Sequence, residues 1–315
     1  MADTGFATAA AAGPVINMAL QPNLQRILQP ILQPILQISL PQPALLLAGG
    51  FGGPLIIGAF TPLRNACTLA SQDATCNARQ IMGRVFSMGF RSGWTGAWTP
   101  AAAAAMQFTM LGPGYHLYLN LLGSPAPAVV AGALTETFIT YASSTRNAQL
   151  MHNQASAGRD TVPVRPMMPT GPGFTALLLR NGAAMAGIRV ISDPLSRMLQ
   201  WMVGADTKGA VSPQVKTGGD FLASVLCGAF SMPFNQIYNM QVTSAACLNG
   251  TPMRRVTLAL RFLRSQYLET TASGSVRLRH TMLRDALLRS SYIGCAYCSF
   301  AIVERMALHF ASNGK

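Results

Sequence analysis

The sequence has little charge and very little acid. Asp, Glu, Lys and Arg make up 10% of its 315 residues, against about 25% in an ordinary soluble domain. Only 10 residues are acidic and 23 are basic, which gives a net charge of +13. A chain this poor in charge lacks the polar surface needed to cover a water-facing globule. A conventional soluble protein is therefore not expected.

The side-chain groupings that enzymes and metal sites require are also missing from the sequence. The four histidines are spread along the chain, and no Ser-His-Asp or Cys-His grouping is visible. Cys295 and Cys298 lie in an apolar stretch without acidic partners, so neither a zinc site nor a disulfide framework is expected. GFGG at 50–53 has no following Lys-Ser/Thr and does not form a phosphate loop. We predict no catalytic residue, no metal and no enzymatic activity.

Long uncharged tracts are what the chain has instead. They cover residues 27–63, 92–135 and 221–253, and each exceeds the roughly 20 residues that a helix needs to cross a bilayer. Arginines bunch between these tracts, a placement suited to anionic lipid headgroups or an anionic solute. They do not form a basic face interleaved with stacking groups, so nucleic acid is not an expected partner. These features predict a membrane protein.

Internal repeats organise the apolar segments. GAFTP at 58–62 and GAFSMP at 228–233 stand near the ends of two apolar runs, and a similar helix at 131–151 has Ala142 in the place of the proline. Each is followed by a connector and a second apolar segment. We therefore predict an all-α membrane protein with six transmembrane helices in three pseudo-symmetric repeats. The helices fall near 43–70, 97–122, 126–150, 172–200, 218–243 and 282–311, and the divisions are an arm at 1–41 and repeats at 42–123, 124–205 and 206–315.

From about residue 42 to 311 the chain resembles the mitochondrial carrier family. WTGAWTP at 94–100 and FTALLLRNGAAMAGIRV at 174–190 are similar to the aromatic-x-Gly and Leu-Leu-Arg segments of that family. TYASSTRNAQL at 140–150 resembles its Thr-Tyr-Pro-Leu-Asp-x-x-Lys segment. The resemblance implies the mitochondrial carrier fold, a multi-pass protein of the mitochondrial inner membrane, with the outer membrane as the alternative.

The resemblance also assigns roles to individual residues. Pro62 and Pro233 take the places of the prolines that kink the odd-numbered helices. No acid stands at the acidic gate positions that follow them, and the six gate positions are Arg64, Cys67, Ser144, Asn147, Asn235 and Tyr238. On the opposite side, Asp193 and Arg305 are the two charged gate residues that remain, so at most one bridge, between these two, can form there.

The expected substrate contacts lie one turn into the even-numbered helices, at Arg180, Asn181 and Arg289. Arginine at membrane depth is costly, so these side chains are expected to face a wet cavity or an acidic partner. The planar guanidinium suits a carboxylate or phosphate. The alternative is that Glu136, Asp193 or a lipid phosphate neutralises the arginines. Glu136 itself is interpreted as an internal partner of an arginine or, alternatively, as a proton or cation site.

Two partners are expected outside the cavity. The segment around Trp94, Thr95 and Gly96 precedes a helix and lies beside basic residues, so we expect it to bind an acidic phospholipid such as cardiolipin. The proline-rich and leucine-rich arm, whose apolar part is LQPNLQRILQPILQPILQISLPQP at 20–43, is too apolar for ordinary disorder. We expect it to lie on another membrane-complex subunit or at the membrane interface.

Two functions remain open at this point. The missing gate charges and the apolar arm favour a former carrier that serves as a non-exchanging accessory subunit of an inner-membrane, respiratory-type complex. The alternative is an active transporter of a small anionic metabolite, supported by Arg180, Asn181 and Arg289.

Overall fold

The computed structural model describes residues 43–155, 161–164, 168–204 and 210–313. The arm predicted at 1–41 lies outside the described residues. The described chain is an all-α protein with one short β-hairpin. Its elements in chain order are α1 (Pro43–Ala59), α2 (Thr61–Ala70), α3 (Ala78–Val85), α4 (Trp98–Thr109), α5 (Tyr115–Leu122), α6 (Pro125–Ala155), α7 (Phe174–Met202), α8 (Pro213–Thr243), α9 (Ala245–Leu248), α10 (Pro252–Tyr267), β1 (Leu268–Thr270), β2 (Val276–Leu278) and α11 (His280–Asn313).

Six long helical segments account for most of this structure. They are α1 with α2, α4 with α5, and then α6, α7, α8 and α11, and we refer to them as the first to the sixth long helix. Each packs against the next along the chain, and the sixth packs against the first, so they form a closed ring. The observed ends lie close to the predicted ones, with the largest differences at 155 instead of 150 and at 213 instead of 218.

Membrane crossing is supported for part of this set. Among the described residues, Phe174–Met202 and His280–Ser312 are long and apolar enough to span a membrane. The bent pair of α1 and α2 adds a third span if it is counted as one. Six crossings remain a prediction.

The first long helix bends by 61° between α1 and α2. Pro62 has no backbone N–H and cannot donate to the Gly58 carbonyl one turn earlier. The indole N–H of Trp94 donates to this carbonyl instead, at 2.9 Å. Pro233, by contrast, lies inside α8, a helix of 31 residues that is not interrupted at the proline. The hydroxyl of Ser231 donates to the Gly228 carbonyl close to this proline.

Small residues let the long helices approach each other closely. A Cβ added to Gly228 of α8 would lie 2.8 Å from the Cα of Ser290 in α11. A Cβ on Gly53 of α1 would lie 2.8 Å from the side chain of Phe108 in α4. Larger residues at these glycines would force the helices apart, so the ring depends on glycine at both contacts.

The connectors are capped and polar. Asn77 and Gln80 form a reciprocal capping box at the start of α3. The Thr251 side chain accepts from the Arg254 amide at the start of α10, a basic helix that leads into the hairpin. These connectors all follow odd-numbered long helices, and they hold the ends of those helices in place.

Candidate functional site

A small polar cavity lies inside the ring of long helices. Its open space is about 40 Å³, enough for roughly three water molecules. All six long helices contribute to its wall. The lining residues include the predicted substrate contacts Arg180, Asn181 and Arg289, and also the six predicted gate positions Arg64, Cys67, Ser144, Asn147, Asn235 and Tyr238.

Arg180 is held by two asparagines and a tyrosine. Its Nε and one terminal nitrogen donate to the Asn181 Oδ1 at 3.1 and 3.0 Å, and the other terminal nitrogen donates to the Asn235 Oδ1 at 3.4 Å. The guanidinium carbon lies 5.3 Å from the centre of the Tyr238 ring, in cation–π range. Asn181 in turn donates to the Thr137 hydroxyl at 3.2 Å. The fourth long helix is thereby tied to the third and the fifth.

Arg289 is more deeply buried and less well satisfied. It is 6% exposed, and its Nε donates to the Ser231 hydroxyl at 3.3 Å. Its guanidinium carbon lies 5.6 Å from the centre of the Tyr292 ring. Arg64 of α2 points into the same cavity. The ion pairs found among the described residues include none of the three arginines Arg64, Arg180 and Arg289, so no carboxylate of this part of the chain lies within ion-pair distance of them.

The odd-numbered long helices meet at one end of the cavity. The third contacts both the first and the fifth. The hydroxyls of Thr145 and Tyr238 are hydrogen-bonded at 3.2 Å, and the Gln149 amide donates to the Val242 carbonyl at 3.0 Å. Among the described residues, these contacts between the odd-numbered long helices are neutral hydrogen bonds and packing.

Charged residues join the even-numbered long helices at the other end. Arg189 of α7 donates to the Leu111 carbonyl of the second long helix at 3.0 Å and to Glu304 of α11 at 2.8 Å. The side chains of Arg189 and Glu304 are 11% and 9% exposed. This buried pair was not predicted, because the two residues are far apart in sequence and neither occupies a recognised gate position.

The predicted gate residues Asp193 and Arg305 do not pair with each other. Asp193 is 77% exposed and lies 2.6 Å from the Lys216 Nζ, whereas Arg305 donates to Asp220 near the start of α8. Asp220 also accepts from the Ser192 hydroxyl. The pairing differs because Asp220, on an odd-numbered helix, comes between the two expected partners.

The predicted lipid segment packs against the first long helix. The carbonyls of Gly93 and Thr95 both accept from the Asn65 side chain at 3.1 Å, and Trp94 caps the Gly58 carbonyl as described. Gly96 has a φ of +71°, which glycine adopts without strain. The segment turns the chain into α4, whose N-cap has no side-chain hydrogen bond. No N-cap side chain accepts from the first-turn amides of Trp98 and Thr99, which can therefore donate to an external acceptor, and Pro100 in the same turn has no N–H.

Comparison with known proteins adds no relative. No protein-family model matches the chain, and no curated protein matches it either. The resemblance to mitochondrial carriers therefore depends on the motifs, and the geometry of the cavity has to support the function by itself.

Proposed function

We propose that this protein is a divergent carrier of the mitochondrial type, with six membrane-crossing helices, that binds a small anion in its central cavity and moves it across the mitochondrial inner membrane. The single observation that carries the proposal is the convergence of Arg64, Arg180 and Arg289 on one cavity, with no carboxylate of the described residues in ion-pair distance of them.

Hydrogen-bond accounting points to an anionic ligand. Each guanidinium has five N–H donors. Arg180 uses three of them on asparagine oxygens and Arg289 uses one on a hydroxyl. Burying positive charge without an anion or strong acceptors costs several kcal/mol. A carboxylate or phosphate in the cavity would accept several of the remaining donors and offset part of the positive charge.

The size of the cavity limits the ligand and implies a conformational change. Space for roughly three waters accommodates one carboxylate or phosphate group, and a larger metabolite would need the helices to separate. Both ends of the cavity are bridged in this structure, by neutral hydrogen bonds at one end and by the Arg189–Glu304 pair at the other. Alternating access requires these two bridges to open in turn.

A transport assay with matched variants tests the proposal. Purified protein in liposomes should exchange labelled phosphate, sulfate or malonate with saturation. Arg180→Ala or Arg289→Ala should weaken anion binding by at least about tenfold, since a hydrogen bond to a charged group contributes about 1.5–3 kcal/mol. Arg261→Ala, on the exposed side of α10, is the control and should change nothing. The proposal fails if none of these anions binds, or if the arginine variants exchange them normally.

The second candidate is a non-exchanging accessory subunit of a membrane complex. It is favoured by the cavity end where the odd-numbered helices meet, because the gate positions there carry one base and no acid. Deleting residues 1–40 tests it: the variant should lose its complex while retaining its helical content. Saturable exchange by the intact protein would contradict this second function.

An acidic phospholipid is the proposed lipid partner at Trp94–Gly96, through the open amides at the start of α4. Added cardiolipin should raise the melting temperature, and Trp94→Ala should reduce that increase. An unchanged melting temperature in cardiolipin would refute the site.

A further inference from the structure

Glu136, in the middle of α6, is a buried carboxylate without a satisfied hydrogen bond. The residue is 1% exposed, and neither carboxylate oxygen has a hydrogen bond of normal geometry among the described residues, although the Gln107 side chain lies close enough to interact with it. An ionised carboxylate in such a place has lost its hydration and gained no donor in return. The group therefore has a strong tendency to take up a proton or to attract a cation.

The surroundings of Glu136 connect it to the anion cavity. The Gln107 side chain of the second long helix lies beside it, and Arg180 of the fourth and Arg289 of the sixth act on it electrostatically. Tyr297 of the sixth long helix also faces it. Gln107 and Tyr297 are hydrogen-bonded to each other at 3.4 Å and both line the cavity. Glu136 thus interacts with four residues that line the cavity, although it is not itself part of the lining.

A proton fits this position better than a metal ion does. Mg²⁺ or Ca²⁺ needs about six oxygen ligands, and no group of three or more His, Cys, Asp or Glu side chains comes together within the described part of the chain. The first and fifth long helices add Arg64 and Tyr238 to the same cavity, a cation and a neutral phenol. The arginines disfavour any added cation, but a proton needs only one carboxylate oxygen and removes a buried negative charge that has lost its hydration.

We propose that Glu136 is a proton site whose protonation is linked to anion binding between the three arginines. This inference rests on the proposed anion-binding function. With Glu136 ionised, three arginines and one carboxylate give the cavity region a formal charge of 3 − 1 = +2. One proton from water converts the carboxylate to the neutral acid and restores +3. The anion then binds more tightly, so one proton enters with each anion.

Two measurements on the full-length protein test the linkage. The first is the Kd of sulfate, whose charge is constant from about pH 5 to about pH 9 and so adds no titration of its own. For one linked proton, the Kd of sulfate should fall by up to about tenfold for each unit by which the pH is lowered through the range where Glu136 titrates. Glu136→Gln should bind sulfate tightly at every pH. Glu136→Asp should keep the pH dependence, and Glu269→Gln, half exposed on β1, is the matched control.

The second measurement is the infrared difference spectrum between acid and alkaline pH, without any anion. A C=O stretch from a protonated carboxyl should be present in the wild type and in Glu269→Gln, and reduced in Glu136→Gln. An unchanged band in Glu136→Gln would overturn the proton site, and an unchanged pH dependence of sulfate binding would overturn the linkage. Failure of sulfate to bind at any pH would refute the anion function and the linkage together, and the infrared result would still decide the proton site.

Discussion

Arg284 offers the sharpest test of how the first and last long helices are held together. Its guanidinium is 3% exposed and donates to the Asp285 carboxylate at 2.7 Å. It also donates to three carbonyls around the end of α2, those of Ala70 at 2.7 Å, Asp73 at 2.6 Å and Cys76 at 2.7 Å. One side chain near the start of α11 thus binds the last carbonyl of α2 and two carbonyls of the loop that follows it.

Arg284→Met removes all of these donors and keeps much of the side-chain volume. It leaves the Asp285 carboxylate buried without its guanidinium partner, which costs about 3–5 kcal/mol for a pair of this kind. At about 2 °C per kcal/mol for a chain of this size, the melting temperature should fall by about 6–10 °C. The double variant Arg284→Met/Asp285→Asn should recover only the carboxylate part, because the Asp73 and Cys76 carbonyls lose the Arg284 donor and the Ala70 carbonyl keeps only the Gln266 amide, at 3.4 Å.

Buried cysteines provide the assay. Cys67, Cys76, Cys227, Cys247 and Cys298 are free and buried, so a dye that fluoresces on reaction with thiols reports unfolding in detergent. Arg79→Ala, on the exposed face of α3, serves as the control and should shift the melting temperature by less than about 1 °C. A shift below about 2 °C for Arg284→Met would refute the view that this side chain fastens the ring.

Two further predictions concern a connector and a helix contact. Hydrogen bonds from the Thr75 side chain, and then from its amide and from Cys76, hold the pKa of Asp73 well below its usual range despite partial burial. The stability that Asp73 contributes should therefore be present at neutral pH and be lost as the pH falls through its folded-state pKa. The melting-temperature difference between wild type and Asp73→Asn should shrink in acid, and a difference independent of pH would contradict this. Gly228→Ala should destabilise the protein by about 1–3 kcal/mol because its Cβ meets the backbone of α11, whereas Gly83→Ala, where nothing lies within 4 Å, should be neutral or stabilising in the same melting assay.

The sequence was sufficient to locate the long helices and the cavity arginines. Uncharged tracts bounded by arginines limit where helices can begin and end. Arg180 and Arg289 are recognisable because a charge inside an apolar helix is costly unless it faces something polar. The prolines were less uniform than their shared pattern suggests: α1 and α2 bend beside Pro62, whereas α8 continues through Pro233.

The ion pairs could not be predicted from the sequence. Arg189 and Glu304 are separated by 115 residues, and their contact depends on which turn of each helix faces the other. A rotation of one residue changes a helix face by about 100°, so the motif alignment that selected Asp193 and Arg305 lacked the necessary precision. Asp220 was missed because the expected charged partners were all on even-numbered helices. The contact of Trp94 with Gly58 likewise requires the fold, although Pro62 itself signals that a carbonyl one turn earlier needs another donor.

The two ends of the cavity differ in what opening them would cost. Separating Arg189 from Glu304 leaves two largely buried charges without partners, and such a loss costs about 3–5 kcal/mol unless water enters at once. Breaking the Thr145–Tyr238 and Gln149–Val242 hydrogen bonds costs only about 1 kcal/mol each. If the protein transports an anion, the neutral end should open more readily. The binding free energy of an anion on the arginines then has to offset the cost of separating Arg189 from Glu304 at the charged end. Glu304→Gln separates these cases, because it removes the carboxylate of the bridge and leaves Arg189 with only a neutral acceptor. We expect it to increase accessibility of Cys67 to an anionic thiol reagent from the charged end and to leave access from the neutral end unchanged. Equal accessibility from both ends in the wild type would show that the charged bridge contributes no barrier.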